Sequence, residues 1–143
     1  MTPITDRINS ILLVDDNASL NMVNVRYIER LEIAQQVAEV RNGQEAIDFV
    51  LHQNKYSKGN ATFLPEVIIL DLNMPIMDGF EFLKKYHDID PELQKSRIIV
   101  LSSSNRLEER EKALAYGAVE EYWVKPITKE KWLTLKDKEV DIK

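Results

Sequence analysis

Five short apolar runs, separated by segments with helical spacing, constrain the fold of this chain more than any other feature. Each run is rich in Val or Ile and too short to be a buried helix, which is typical of a strand covered on both faces. The runs are residues 11–14, 36–40, 67–70, 98–101 and 122–124.

The segments between these runs place apolar residues three, four or seven positions apart, which is the spacing of one helix face. The first such stripe consists of Leu20, Val23, Tyr27 and Leu31. Thr128 is a predicted N-cap of the last helix. Because strands and helices alternate, we expect an α/β fold, with a five-stranded parallel sheet doubly wound by helices on both faces.

The length and charge of the chain limit the kinds of protein that it can be. It has 143 residues, no cysteine, and 24 acidic against 19 basic residues, a formal net charge of −5. This length predicts a single domain over residues 1–143, with a core at about 9–135 and a charged tail at 136–143. Disulfides and thiolate metal sites are excluded, and the negative charge argues against binding to nucleic acid or to an anionic membrane.

The apolar runs also bear on where the protein is located. No run approaches the roughly 20 apolar residues of a membrane span, and residues 1–10 lack the apolar segment of a targeting signal. We therefore expect a cytoplasmic protein.

Polar residues follow four of the predicted strands. Asp15 and Asp16 follow the first strand, Asp71 the third, Ser102 the fourth and Lys125 the fifth. Each alone is explained as a cap, a turn residue or a surface residue. Parallel strands, however, bring their carboxyl ends to one edge, where sites lie in such sheets.

Carboxylates collected at that edge repel one another, and at least one pKa rises unless a cation is present. Oxygen ligands without His or Cys favour Mg²⁺ or Mn²⁺. A nearby lysine can balance the charge of a phosphate, and a serine hydroxyl can donate to it. A carboxylate with a free oxygen can act as the nucleophile in phosphoryl transfer.

The segment 71–80, Asp-Leu-Asn-Met-Pro-Ile-Met-Asp-Gly-Phe, resembles a motif of the response-regulator receiver domains, as do residues 12–16 and 123–126. The resemblance covers about residues 9–135 and is to chemotaxis-type receivers. It implies a flavodoxin-like receiver fold, a (βα)5 arrangement. The long polar loop at 53–65 is also similar to that of single-domain receivers linked to bacterial phytochromes, which is a weaker resemblance.

The resemblance implies a Mg²⁺ site and a phosphoacceptor. Asp71 matches the phosphoacceptor, whose carboxylate becomes an acyl phosphate. Asp16 matches the direct metal ligand, with Asp15 beside it often acting through water. Asn73 matches the position whose backbone carbonyl completes the metal site.

The resemblance also implies residues that respond to the phosphate. Lys125 matches the lysine that pairs with it, Ser102 the hydroxyl that closes on it, and Tyr122 the aromatic residue that then swings inward. The segment 117–122 is one residue longer than usual, so Ser103 is an alternative to Ser102. The peptide bond before Pro126 is expected to be cis.

The implied function is that of a stand-alone response regulator in two-component signal transduction. Its expected partners are a histidine kinase or histidine phosphotransfer protein and a downstream protein target, with a homodimer as a further possibility. It would be a signalling domain rather than an enzyme, although self-catalysed phosphotransfer and autodephosphorylation are expected. Since the resemblance uses almost the whole chain, no separate output domain is expected, unless the sequence is a piece of a longer protein.

Two other functions compete with this one. An aspartate-nucleophile phosphatase of the haloacid-dehalogenase kind uses the same nucleophile and metal. It needs an Asp two residues later as general acid, and Asn73 cannot do that work. A scaffold that keeps only the fold and ignores phosphorylation is the other alternative.

Overall fold

Five parallel strands form one sheet in the structure, a computed structural model that describes residues 8–57 and 63–140. The order across the sheet is β2-β1-β3-β4-β5. Each predicted apolar run lies within one of the observed strands, and the predicted doubly wound α/β fold is confirmed. The strands are β1 (Ile8–Val14), β2 (Ala34–Val40), β3 (Val67–Asp71), β4 (Arg97–Ser102) and β5 (Val119–Val124).

Helices follow the strands in turn. They are α1 (Ala18–Arg30), α2 (Gly43–Leu51), α3 (Gly79–Asp88), α4 (Leu107–Leu114) and α5 (Lys129–Val140). Thr128 accepts a hydrogen bond from the backbone N–H of Lys131, as expected of an N-cap. The last helix runs past Lys136, where the sequence predicts the charged tail to begin, and residues 141–143 lie outside the described part. Within residues 8–57 and 63–140, no helix has the length and apolar character needed to cross a membrane.

The predicted apolar stripe of α1 is wrong in one respect. Val23 is 48% exposed, and the buried residues of this helix are Asn21, Asn24 and Ile28. The reason lies at the strand end, where the side-chain amide of Asn21 donates to the backbone carbonyl of Asp15 at 3.1 Å. The helix therefore turns a partly polar face inward, because that face supplies a hydrogen-bond donor beside the acidic residues.

The core has two parts, one on each face of the sheet, because successive strand residues point to opposite faces. The helices α2, α3 and α4 cover one face, and α1 and α5 cover the other. On β5, Tyr122 belongs to the first part and Trp123 to the second. The ring of Trp123 packs edge-on against that of Trp132 from α5, with 6.4 Å between the centroids.

The long loop after α2 is packed against that helix at both of its described ends. The rings of Tyr56 and Phe63 lie 5.0 Å and 5.2 Å from the ring of Phe49, both in edge-on arrangements. Residues 58–62 of the predicted loop are outside the described residues. The loop thus contributes aromatic side chains to the core through its described residues.

Candidate functional site

Three carboxylates meet at the carboxyl edge of the sheet, as the sequence predicts. Asp71 is the last residue of β3, while Asp15 and Asp16 directly follow β1, the neighbouring strand. One oxygen from each lies within 4.8 Å of the others. Asp15 and Asp71 are only 4% and 3% exposed, whereas Asp16 is exposed to solvent.

Lys125 joins this cluster from β5 and partly balances its charge. Its Nζ lies 3.3 Å from Asp15 Oδ2 and 3.4 Å from Asp71 Oδ1. The backbone N–H of Lys125 donates to the carbonyl of Ser102 at 2.7 Å, which fixes the lysine beside the end of β4. The peptide bond between Lys125 and Pro126 is cis, as expected.

Burial and the neighbouring charge shift the acidity of Asp71. Burial raises the pKa of this carboxyl most, the negative charge of Asp15 raises it further, and Lys125 and the backbone N–H of Asn73 lower it. The result is a pKa raised from 3.8 to about 6. A bound cation would favour the charged form, because its positive charge attracts the carboxylate and offsets both the burial and the repulsion by Asp15.

The donor set fits a hard divalent cation such as Mg²⁺. Every candidate ligand is an oxygen, and Asp15 Oδ2 is buried without a hydrogen-bond partner among the described residues, its contact there being the ion pair with Lys125. The other oxygen of Asp15 accepts from the backbone N–H of Asn17 at 2.9 Å, which orients the carboxylate. Mg²⁺ binds few protein carboxylates and keeps water and phosphate oxygens as its remaining ligands.

Asn73 lies beside the cluster, in the loop after β3. Its backbone N–H donates to Asp71 Oδ1 at 3.3 Å, and its side chain is exposed. That the carbonyl of Asn73 binds the metal stays a prediction.

Tight backbone contacts hold the loop that follows Asp71. The N–H of Gly79 donates to the carbonyl of Leu72 at 3.0 Å, and the N–H of Gly43 donates to that of Met77 at 2.9 Å. A Cβ at Gly79 would stand 2.7 Å from the carbonyl oxygen of Asp71, and one at Gly43 would stand 2.7 Å from that of Met77. Only glycine allows this approach, so Gly79 fixes the backbone next to Asp71 and Gly43 fixes the loop at Met77.

Ser102, rather than Ser103, is the buried hydroxyl at this edge. Ser102 is the last residue of β4 and is fully buried, while Ser103 is exposed. The extra residue in the segment 117–122 is taken up by a bulge, since Ile98 pairs with Val119 and Ile99 with Glu121. The register beyond the bulge is regular. That Ser102 contacts a phosphate stays a prediction.

Tyr122 lies near Ser102, and both contact a residue that sequence reasoning missed. The Tyr122 hydroxyl is 2.7 Å from the carbonyl oxygen of Ser104 and 2.6 Å from Glu109 Oε1. The same carboxylate oxygen accepts a hydrogen bond from Ser102 Oγ at 2.8 Å. No sequence signal marks Glu109, because a glutamate in the first turn of a helix is ordinary.

Comparison with known proteins places these observations in a family. The family model described as the response regulator receiver domain matches residues 11–135. The chain is 31% identical over 119 residues to the probable methanogenesis regulatory protein FilR2 of Methanothrix harundinacea, covering 82% of this chain and 72% of that protein. It is 33% identical over 118 residues to the transcriptional regulatory protein YesN of Bacillus subtilis, of which it spans 28%.

The solved structures that this chain resembles are also response regulators. A two-component response regulator from Cytophaga hutchinsonii matches with a TM-score of 0.79 and 28% identity, over 95% of this chain and 99% of that one. The bacteriophytochrome response regulator RtBRR matches with a TM-score of 0.77 and 26% identity, over 95% of this chain and 80% of that one. The chemotaxis response regulator CheY4 of Vibrio cholerae matches with a TM-score of 0.71 and 26% identity, over 92% of this chain and 98% of that one.

Proposed function

This chain belongs to the response regulator receiver domain family of two-component signalling, and from that membership we propose that it accepts a phosphoryl group on Asp71. The donor is the phosphohistidine of a histidine kinase or of a histidine phosphotransfer protein. One observation carries the proposal: the buried carboxylate of Asp71 ends the central strand beside Asp15, Asp16 and Lys125.

In the proposed reaction, an oxygen of Asp71 attacks phosphorus while the phosphorus–nitrogen bond to the donor histidine breaks. The product is an acyl phosphate on Asp71, and the freed imidazole nitrogen takes up a proton. Lys125 Nζ, already 3.4 Å from Asp71 Oδ1, compensates part of the negative charge brought in by the phosphoryl oxygens. The chain is thus a signalling domain that assists its own phosphorylation and dephosphorylation, rather than an enzyme acting on other substrates.

Receiver domains bind Mg²⁺ at an acidic pocket, and in this chain Asp15, Asp16, Asp71 and the backbone carbonyl of Asn73 would hold it. When bound, Mg²⁺ neutralises negative charge on carboxylate and phosphoryl oxygens. Asp15 is oriented by Asn17, and Asp71 by Asn73.

The signal in this proposal is a change of the face built from α4, β5 and α5. The Ser102 hydroxyl donates a hydrogen bond to the phosphoryl group, and Tyr122, which is already buried, moves further into the space that Ser102 leaves. A downstream protein, or a second copy of the chain, then binds one of the two states better and shifts the population toward it.

Phosphorylation of the full chain tests the proposal directly. The protein is incubated with Mg²⁺ and acetyl phosphate and then weighed by intact mass spectrometry. We expect a gain of one phosphate in the wild type and none in Asp71→Asn. Asp88→Asn, at an exposed position at the end of α3, is the control and should gain one phosphate.

Two outcomes would contradict the proposal. A mass gain that persists in Asp71→Asn would place the phosphate elsewhere. No gain in the wild type with acetyl phosphate or phosphoramidate would favour a scaffold that does not depend on phosphorylation.

A further inference from the structure

The carboxylate of Glu109 contacts Ser102, which the proposed signal requires to turn toward Asp71, and Tyr122, which is already buried. Its Oε1 atom accepts a hydrogen bond from Ser102 Oγ at 2.8 Å and lies 2.6 Å from the Tyr122 hydroxyl. Ser102 is fully buried and Tyr122 is 6% exposed, while Glu109 is half-buried, so water competes little for the two hydroxyls but reaches part of the carboxylate. A hydrogen bond to a charged group in such surroundings is stronger than one between neutral groups.

Each of these hydroxyls has a single proton to donate. The proton of Ser102 is directed at Glu109, because Ser102 Oγ itself accepts from the backbone N–H of Ser104 at 3.0 Å. A phosphoryl group on Asp71 can accept the hydrogen bond of the Ser102 hydroxyl only if that hydroxyl turns away from Glu109. The contact with Glu109 and the contact with a phosphoryl oxygen therefore exclude each other.

The position of Glu109 in its helix supports a specific role for this contact. In α3, the third helical residue, Glu81, reaches back to the backbone N–H of the N-cap Asp78 and completes a capping box. Glu109 is the third residue of α4, but Arg106 provides no side-chain cap there, and Glu109 faces the two hydroxyls instead. The helix thus lacks a capping box while its glutamate holds residues of β4 and β5.

We propose that Glu109 is a positioning residue that holds the Ser102 hydroxyl away from Asp71, with Tyr122 as a second neighbour of the same oxygen, and so opposes the change that phosphorylation of Asp71 induces. The inference rests on the proposed function, since it presupposes that Ser102 responds to a phosphoryl group. Its consequence is that removing the carboxylate destabilises only the phosphate-free arrangement. A phosphoryl mimic then binds more tightly.

Titration of the full chain with beryllofluoride in excess Mg²⁺, a mimic of the acyl phosphate, measures that effect. We expect Glu109→Ala to bind it at least roughly threefold more tightly than the wild type, because even a hydrogen bond of ordinary strength stabilises by that much and one to a charged group stabilises by more. Glu109→Gln, which keeps an acceptor oxygen, should show a smaller gain. Glu108→Ala is the matched control, because it removes the same charge from an exposed position in the same helical turn.

A double-mutant cycle separates this role from a general effect of charge. In a Ser102→Ala/Tyr122→Phe background, Glu109 has no hydroxyl left to hold, so adding Glu109→Ala should change the affinity less than twofold. If Glu109→Ala increased the affinity for beryllofluoride equally in the wild-type and the double-mutant backgrounds, the proposal would be overturned. An affinity of Glu109→Ala equal to or weaker than that of Glu108→Ala, in a folded protein, would also overturn it.

A second measurement needs no phosphoryl mimic. Burial raises the pKa of Tyr122 most, and the hydrogen bond with Glu109 raises it further. NMR of the tyrosine Cζ carbon should therefore show a lower Tyr122 pKa in Glu109→Gln than in Glu108→Gln, and equal values would count against the contact.

If the wild type does not bind beryllofluoride, the proposed function fails and the opposing role of Glu109 fails with it. If the wild type binds beryllofluoride and Glu109→Ala binds it with the same affinity, only the role of Glu109 is overturned and the proposed function stands.

Discussion

At the scale of single residues, Asp71 shows how the site conflicts with the stability of the metal-free fold. The carboxylate must be charged to act as a nucleophile, yet it is buried beside a second carboxylate. Lys125 offsets part of that cost, but the pKa still rises to about 6. Without a cation, the folded protein therefore holds a proton on the proposed phosphoacceptor more tightly than an unfolded chain does.

The pH dependence of stability follows with a definite sign. Above a pH of about 4, an unfolded Asp loses its proton while folded Asp71 retains it up to about pH 6, so the free energy of unfolding falls across this window. We expect Asp71→Asn to be more stable than the wild type at pH 8 in EDTA, by at most about 3 kcal/mol. The difference should shrink as the pH is lowered to about 4.

Urea unfolding of both proteins at the two pH values measures this difference, and Asp88→Asn serves as the control for an exposed aspartate. Equal stability of Asp71→Asn and the wild type at pH 8 in EDTA would show that burial of this charge is not destabilising.

Most of the site residues were predictable for a simple geometric reason. Asp71 and Ser102 end strands of one parallel sheet, and Asp15 and Lys125 directly follow strands of the same sheet. The carboxyl ends of such strands converge whatever their separation along the chain. Glu109 was not predictable, because its contacts depend on how α4 is placed relative to β4 and β5. Nothing in the local sequence specifies that placement.

At the scale of elements, α1 shows where periodicity gives the wrong face. The spacing from Leu20 to Leu31 identified a helix correctly, but Val23 faces outward while Asn21 and Asn24 are buried. Apolar periodicity assumes that the buried face is apolar. That assumption fails where a helix packs beside a polar strand end and must supply a donor such as the Asn21 amide.

The start of α3 packs closely against the end of β3, next to Asp71. We expect Gly79→Ala to destabilise the fold by roughly 1–3 kcal/mol, because the added Cβ would stand 2.7 Å from both the carbonyl oxygen of Asp71 and the Cα of Leu72. Gly117→Ala is the control, since a Cβ there meets no atom within 4 Å.

Chemical denaturation of the two variants distinguishes these sites, with Gly117→Ala expected within about 0.5 kcal/mol of the wild type. A Gly79→Ala variant as stable as Gly117→Ala would mean that the start of α3 can shift away from β3 at little cost.

At the scale of the whole molecule, the proposed Mg²⁺ site would link metal binding to folding. Its candidate ligands come from residues far apart in the sequence, so a cation that they hold would bind the folded chain and not the unfolded one. Saturating Mg²⁺ should therefore raise the free energy of unfolding, by about 2.7 kcal/mol at a concentration of 100 times the Kd. We expect a Mg²⁺-dependent increase in Tm for the wild type.

Asp16→Ala should lose most of that increase, and in EDTA it should melt no lower than the wild type because one repelling charge is gone. Thermal melts with and without Mg²⁺ measure both effects, with Asp88→Ala as the control. If Mg²⁺ raised the Tm of Asp16→Ala as much as that of the wild type, the cation would have to bind at another site.

The overall architecture was the most predictable level. Buried parallel strands leave a sequence pattern of short apolar runs, and the alternation with helices leaves few possible topologies. The lengths of the elements were less predictable. Strands such as β1 and β5 extend beyond their apolar runs through residues that pair with a neighbouring strand, and α5 continues through charged residues to Val140.

The strand order has a further consequence, which concerns local opening of the sheet. Strand β3 is hydrogen-bonded on both sides, whereas β5 is an edge strand with one neighbour in the sheet. Local opening of β3 must break two ladders and that of β5 only one, so we expect opening around Tyr122 to cost less free energy than opening around Asp71. Under the proposed function, the phosphoacceptor therefore lies on a strand that opens with difficulty, and the aromatic side chain that responds to it lies on a strand that opens more easily.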